Sequence, residues 1–414
     1  MVNSTNPLSA KRIVLAVTGS IASYKAADVA STLVQLGAAV DVILSEGARQ
    51  FIQPLTFSAL TRSPVHGNPF ADWTTDFAGH VTLAAADLLL VAPATARTLA
   101  RLSLGLADDL LGMVALATSS PLVVAPAMEH GMWRHPATQE HLHRLRERGV
   151  VVVGPEAGRL ASGASGDGRM AATDEIVGAA RAVLGRDGPL AGTKVVVSAG
   201  GTHEPIDPVR FIGNRSSGLM GLALAQAAID LGATVAVVAG PTHLPMPHAA
   251  EIVRVETADE MLRAIQAAVE GAEILIMAAA VGDFRPAQRF EQKYKKANST
   301  SGLTVELIQN PDILATIQGP RLIKVGFAAE TEHHVANARA KLERKSLHLV
   351  VANDAAMTIG RDESNAILIT ADGEPEVLPA MRKTELAAVI MDRVAKLVTT
   401  ERGTRTAMWL DHQD

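Results

Sequence analysis

Short apolar runs rich in β-branched residues recur along the chain, separated by stretches in which apolar positions return with helical spacing. Ile13–Val17, Ala39–Leu44, Asp87–Ala92, Pro121–Ala125 and Val150–Val153 make a first series. Lys194–Ser198, Ala233–Ala239, Ile274–Ala279, the run ending in Val325–Glu330, and Leu347–Ala352 make a second. Runs without polar alternation are strands buried on both faces, which is the pattern of parallel sheets covered by helices. Ala22–Leu36 and Leu222–Leu231 carry the helical pattern between such strands. The alternation predicts an α/β chain with two doubly wound, Rossmann-like sheets in tandem. Gly185–Gly192 (GRDGPLAG) is the linker-like stretch, so domains are expected at 1–190 and 191–414. Ala366–Ile369 and Glu376–Leu378 predict an antiparallel hairpin around Ala371-Asp372-Gly373, and Thr399–Asp414 a frayed tail.

Chemistry in such folds gathers where strands end, because free N–H groups at the next helix start attract anions. The longest of these junctions is Gly200–Gly221 (GGTHEPIDPVRFIGNRSSGLMG), which brings Arg210, Asn214 and Arg215 toward a helix start at Ser216, Ser217 and Gly218. It reads as a helix capped by Ser216 or Ser217, or as an anion site. A cap alone does not need so long a loop. The first turn, Gly19-Ser20-Ile21-Ala22, lacks the GxGxxG dinucleotide spacing. It is a plain turn or a phosphate seat made of N–H groups and a hydroxyl. Lys293-Tyr294-Lys295-Lys296 is a solvated loop or a polyphosphate clamp, and Arg159–Met170 is a mobile flap or a surface loop. Lys341 and Lys345 fall one turn apart on one helix face. His80 has no role from pattern alone.

Composition narrows the class. The chain has 414 residues, 48% of them apolar, enough for two ordinary cores. A net charge of −5 and only 3% aromatic residues argue against a nucleic-acid surface. The absence of an apolar run of about 18 residues argues against a membrane span. MVNSTNPLSAKR lacks a signal-peptide core, and cysteine is absent, which removes disulfides and thiolate chemistry. A cytoplasmic enzyme is the expectation.

Specific motifs then meet a family. GSIASYK, GHVTLA, VAPATA, GLADDLL and PAMEHGMW resemble the flavoprotein cysteine decarboxylases. GGTHEPIDPVRFIGNRSSGLMG, AAAVGDFRP, the lysine cluster, NPDIL, VGFAAE and VAND resemble phosphopantothenate–cysteine ligase. In this order, over about residues 10–398, the chain resembles the bacterial bifunctional phosphopantothenoylcysteine decarboxylase/phosphopantothenate–cysteine ligases of coenzyme A biosynthesis. The resemblance implies a flavodoxin-like first domain that binds FMN through Gly19, Ser20, Ala22 and Thr95, with His80 catalytic and Met128, the residue-129 position and Arg169 on the substrate. It implies a second domain in which CTP activates the phosphopantothenate carboxylate as an acyl-cytidylate, pyrophosphate leaves, and the cysteine amine displaces CMP. Lys293, Asp283, Met277, Ala278, Ala279, Phe327, Lys341 and Lys345 would take CTP, together with Pro311, Asp312, Ile313 and Leu314. Asn214 would hold the acyl-cytidylate, with Arg210 nearby and Ser216 and Ser217 as a phosphate seat, and Mg²⁺ would bridge phosphate oxygens. Trimers of the first half and dimers of the second would make a homo-oligomer, plausibly a dodecamer.

Two positions depart from the family pattern. Glu129 stands where PxMNxxMW has an asparagine that binds the substrate carboxylate, and a glutamate there would repel it. The flap carries Ala161-Ser162-Gly163 where the family has a proton-donating cysteine, and the Ser162 hydroxyl is a far weaker acid. The alternative is therefore a ligase whose first domain binds flavin only as a scaffold. A flavin-binding regulatory protein with neither activity would need neither Asn214 nor Lys293.

Overall fold

The computed structural model describes residues 6–70, 79–295, 303–319, 321–330, 334–354, 361–371 and 373–410. Lys296 of the cationic cluster and Asp372 of the hairpin turn lie outside these. Asn6–Gly185 form one compact unit, and a second begins at Arg186.

The first unit is built on β1 (Arg12–Val17), β2 (Ala39–Leu44), β3 (Val65–His66), β4 (Leu88–Ala94), β5 (Leu122–Pro126) and β6 (Val151–Val152). They form one parallel sheet in the order β3-β2-β1-β4-β5-β6. If the two-residue edge strand β3 is set aside, the remaining five have the flavodoxin order. Successive residues of β1 serve opposite faces. Ile13, Leu15 and Val17 join one core, and Val14 and Ala16 the other. Double-sided burial is why the run shows no polar alternation. Arg159–Met170 belongs to an antiparallel hairpin, β7 (Glu156–Arg159) and β8 (Ser165–Arg169).

The second unit begins with β9 (Lys194–Ala199), β10 (His203–Pro205), β11 (Phe211–Gly213), β12 (Thr234–Ala239), β13 (Glu251–Arg254), β14 (Ile274–Met277) and β15 (Phe284–Pro286). It continues with β16 (Leu307–Gln309), β17 (Ile323–Glu330), β18 (Leu349–Asp354), β19 (Glu363–Ile369) and β20 (Glu376–Arg382). The main sheet runs β13-β12-β9-β14-β17-β18-β19-β20. It is parallel through β18, and β19 and β20 add the antiparallel hairpin. At the outer end of this sheet Pro379 and Ala380 bulge opposite Asn365. β10–β11 and β15–β16 are separate two-stranded pairs.

Three local expectations change. The helix Leu219–Asp230 is capped by Gly218 at φ +84°, not by a serine; Ser216 and Ser217 accept only weak bonds from Gly218 and Leu219 N–H groups, at 3.3 and 3.4 Å. The left-handed geometry favours glycine at that position. The expected tail from Thr399 is helical through Leu410, within Lys383–Leu410, where no proline interrupts and alanine, methionine and leucine favour helix. Lys345 lies one residue beyond the helix His334–Arg344, though its N–H still closes the last turn on the Lys341 carbonyl at 3.1 Å.

Candidate active sites

In the first unit the carboxyl ends of β1, β2, β4 and β5 open into a cavity of about 1740 Å³. This is where doubly wound folds bind ligands. Gly19, Ser20, Ala22 and Thr95 line it on one side, and Met128, Glu129, Ser162 and Arg169 on the other. Gly19 faces the Gly47 backbone, and a Cβ there would lie 3.0 Å from Gly47 Cα, so the two turns meet without side chains. Ser20 caps the short helix Ile21–Tyr24, its Oγ accepting from Ala22 N–H at 3.2 Å, which leaves the hydroxyl hydrogen free for a ligand. Thr18 ties strand ends together, donating to the Pro93 carbonyl at 2.7 Å and accepting from Thr95 N–H at 3.2 Å.

The hairpin over this cavity is fastened at its base. Met128 N–H donates to the Gly168 carbonyl at 2.9 Å, and Asp167 N–H to His130 Nδ1 at 3.0 Å. Gly168, at φ +140°, has no space for a Cβ beside the Met128 carbonyl. Glu129 caps the turn His130–Arg134, its Oε2 accepting from Gly131 N–H at 2.5 Å, so the carboxylate folds back while still forming cavity wall. His80 sits at the start of the helix Gly79–Ala84 and is not part of the lining of this cavity.

In the second unit the order reverses between β9 and β14. Their pairing continues past the strand ends, with Ala280 N–H donating to Gly200 and Thr202 N–H to Ala280. Asn214, exposed, spans this crevice. Its Nδ2 donates to the Ala280 and Val281 carbonyls at 3.3 and 3.1 Å, which leaves its amide oxygen outward. Arg210 is held by Asp207, Nε to Oδ2 at 2.9 Å, and donates to the Tyr294 carbonyl at 2.6 Å. Tyr294 N–H also reaches Asp207, at 3.1 Å. Burial alone would raise the Asp207 carboxyl; the Arg210 guanidinium and the N–H groups of Val209, Tyr294 and Arg210 outweigh it and hold the group well below the usual carboxylate range. This clamp fixes the residue after Lys293 and the chain four residues before Asn214, and the side chains of Lys293 and Asn214 are themselves exposed.

The other expected nucleotide residues fall on and after β14, on β17 with the helix beside it, and on the turn at Asp312. Met277 is buried, and Ala279 N–H donates to Ser198 Oγ at 3.1 Å. Lys341 Nζ donates to the Phe327 carbonyl at 2.5 Å. Lys345 pairs with Asp312 at 2.9 Å, and Asp312 caps the one-turn helix Ile313–Thr316 that follows Pro311. The Asp283 carbonyl accepts from Asn310 N–H at 2.8 Å, while its side chain is exposed.

Sequence reasoning passed over two groups. Lys25 lines the cavity and donates to the Met170 carbonyl at 3.3 Å; burial, then the Arg169 charge, push its ammonium below the ordinary lysine value, against the opposite pull of Glu156. Its position one turn after Ser20 in GSIASYK was the available signal. Asp207 was the other, and nothing local marks an aspartate whose partners include a residue 87 positions away.

Comparisons with known proteins agree over both halves. Residues 1–185 match the family described as Flavoprotein, and residues 190–398 the DNA/pantothenate metabolism flavoprotein C-terminal domain. The coenzyme A biosynthesis bifunctional protein CoaBC of Vibrio vulnificus (strain YJ016) is 41% identical over 397 residues, covering 94% of this chain and 99% of its own. That of Bacillus subtilis (strain 168) is 40% identical over 399 residues, covering 94% and 98%. A solved C-terminal domain of a CoaBC protein is 34% identical and covers 50% of this chain and 97% of its own, with a TM-score of 0.44. With both halves matched and the full length of its relatives spanned, the chain belongs to the CoaBC family of bifunctional coenzyme A biosynthesis enzymes, a flavoprotein joined to a ligase domain.

Proposed function

We propose that the second unit joins cysteine to 4'-phosphopantothenate with CTP, and that the first unit decarboxylates the product with FMN to give 4'-phosphopantetheine. The observation that carries the reading is Asn214. Its amide is pinned across the β9–β14 crevice by two carbonyls, beside a segment that holds Lys293 through the Asp207 clamp. An amide fixed before the ligand arrives orients an acyl-cytidylate for attack without reorganising. Lys293 neutralises the triphosphate, and Lys341 and Lys345 bring further positive charge. Mg²⁺ enters with the triphosphate; among the described residues no group of three or more acidic or histidine side chains forms a metal cage.

The first cavity fits FMN. It is large enough for the cofactor and substrate together, its floor at Gly19 is bare backbone, and the Ser20 hydroxyl hydrogen is free for a phosphate oxygen. When bound, FMN supplies hydride transfer from and back to the cysteine-derived end of the substrate. Thr95 and Met128 orient the reacting groups, Arg169 neutralises negative charge, and Ser162 at the hairpin tip offers a weak proton. His80, outside the lining of its own cavity, serves a neighbouring chain's cavity in the trimer the family resemblance implies. A homo-oligomer is the assembly that the family resemblance implies. Among the described residues no helix is long and apolar enough to cross a membrane.

Two readouts on the purified full chain test this. Pyrophosphate release from phosphopantothenate, cysteine and CTP tests the ligase, and none at saturation sinks it. Carbon dioxide release from phosphopantothenoylcysteine tests the decarboxylase. A second reading is kept because Glu129 puts a carboxylate on the cavity wall: a yellow, flavin-loaded protein that releases no carbon dioxide is a ligase on a flavin-binding scaffold.

A further inference from the structure

Lys324, the second residue of β17, is only 3% exposed, and the reaction as described makes no use of it. Its ammonium donates to the Leu314 and Ile317 carbonyls, both at 3.3 Å. These carbonyls end the one-turn helix Ile313–Thr316, where backbone acceptors are left without helical partners. At the other end of the same turn, Asp312 accepts from Ala315 N–H at 3.1 Å and pairs with Lys345, itself 14% exposed. Gly326 lets the turn lie directly on β17, since a Cβ there would come within 2.8 Å of Leu347 and 3.1 Å of Leu314. Phe327, three residues along β17 from Lys324, accepts from Lys341. One buried cation of β17 thus holds a turn that pairs through Asp312 with Lys345, one helical turn on from the lysine bonded to Phe327. An apolar side chain of the same length would fill the space with no cost of desolvating a charge. The position therefore needs the donors rather than the bulk.

We propose that Lys324 is a positioning residue of the nucleotide site. It fixes the Asp312–Leu314 turn from below, so that the turn and Lys345 meet the nucleotide in a set geometry. This rests on reading that turn and those lysines as part of the CTP site. It acts through the turn and touches no reacting atom, so its loss weakens nucleotide binding and leaves the chemical step alone.

The test is Lys324→Met in the full chain, which keeps the aliphatic stem and removes the donors. Pyrophosphate release is followed while CTP, cysteine and phosphopantothenate are varied in turn. The KM for CTP is expected to rise about tenfold, with kcat and the KM for cysteine within about twofold of the parent. An unchanged KM for CTP overturns the proposal. So does a uniform fall in kcat with all KM values altered together, the mark of a residue that only supports the fold. Should the methionine variant not fold, Lys324→Gln keeps an uncharged donor group and gives the same split at about threefold, and its absence counts equally against. If the parent itself releases no pyrophosphate with CTP, the nucleotide reading falls first. If the parent is active and the variant matches it, only the role of Lys324 falls.

Discussion

The two sites differ in what is held rigid. In the first unit the walls themselves are fixed: the hairpin is bonded to the Met128–His130 turn before any ligand arrives, and strand ends and that hairpin line the cavity. In the second, Asn214 and Lys293 are exposed, and rigidity lies in the Asp207 clamp and the turn at Asp312. A preformed cavity imposes its wall chemistry on whatever enters, so a change at a wall position such as Glu129 is expected to act on the reaction directly. An open crevice with buried anchors lets the ligand gather the exposed side chains, and its weak points lie underneath. Substitutions in the two units should therefore fail in different ways.

The largest effect is expected from Asn214→Ala. Phosphopantothenoylcysteine formation should fall about 10²-fold or more, as for loss of a fixed amide that orients the reacting group, with the flavin spectrum unchanged. A loss below about threefold would place the reacting anhydride elsewhere. In the first unit, Ser162→Cys puts a far stronger acid at the hairpin tip, and the yield of phosphopantetheine per flavin turnover should rise about tenfold. No rise means that the tip does not deliver the proton. Glu129→Asn removes the wall charge yet keeps a good helix cap, so carbon dioxide release should rise several-fold, about threefold to tenfold, without loss of thermal stability. Equal rates would show that the folded-back carboxylate is already harmless.

The smallest effect is one of pH. The Asp207 carboxyl is depressed in the folded chain, so its contribution to stability is full above the ordinary carboxylate value of about 4 and is lost as pH falls toward the depressed one. In Asp207→Asn, acid unfolding followed by circular dichroism should begin at the same or higher pH with a shallower slope below about pH 4. A slope identical to the parent would mean that the clamp does not couple to folding.

The sheets were legible because double-sided burial writes continuous β-branched runs, as in β1 and β9, and the hairpin β19–β20 because its turn residues are local. The flap was harder: SGDGR carries no apolar alternation, and β8 is held instead by its partner strand and by Met128 and His130, contacts 37 or more residues apart in sequence. Gly218 took the cap expected of a serine because the chain enters that helix in the left-handed region, a property of the loop path. The eight expected first-unit residues on strand ends and the hairpin meet in one cavity, since parallel sheets bring their carboxyl ends together, whereas His80 lies on a helix that this rule does not govern. Asp207 and Lys324 escaped notice because their roles depend on partners in three dimensions.

The bulge at Pro379 has a consequence for how the chain avoids its own kind. Among the described residues β20 is the last strand of an eight-stranded sheet, the place where a second sheet border would dock by backbone pairing. A proline offers no donor, and the bulge twists the border out of register. A second copy of the chain therefore meets, at this border, a strand poorly matched to backbone pairing.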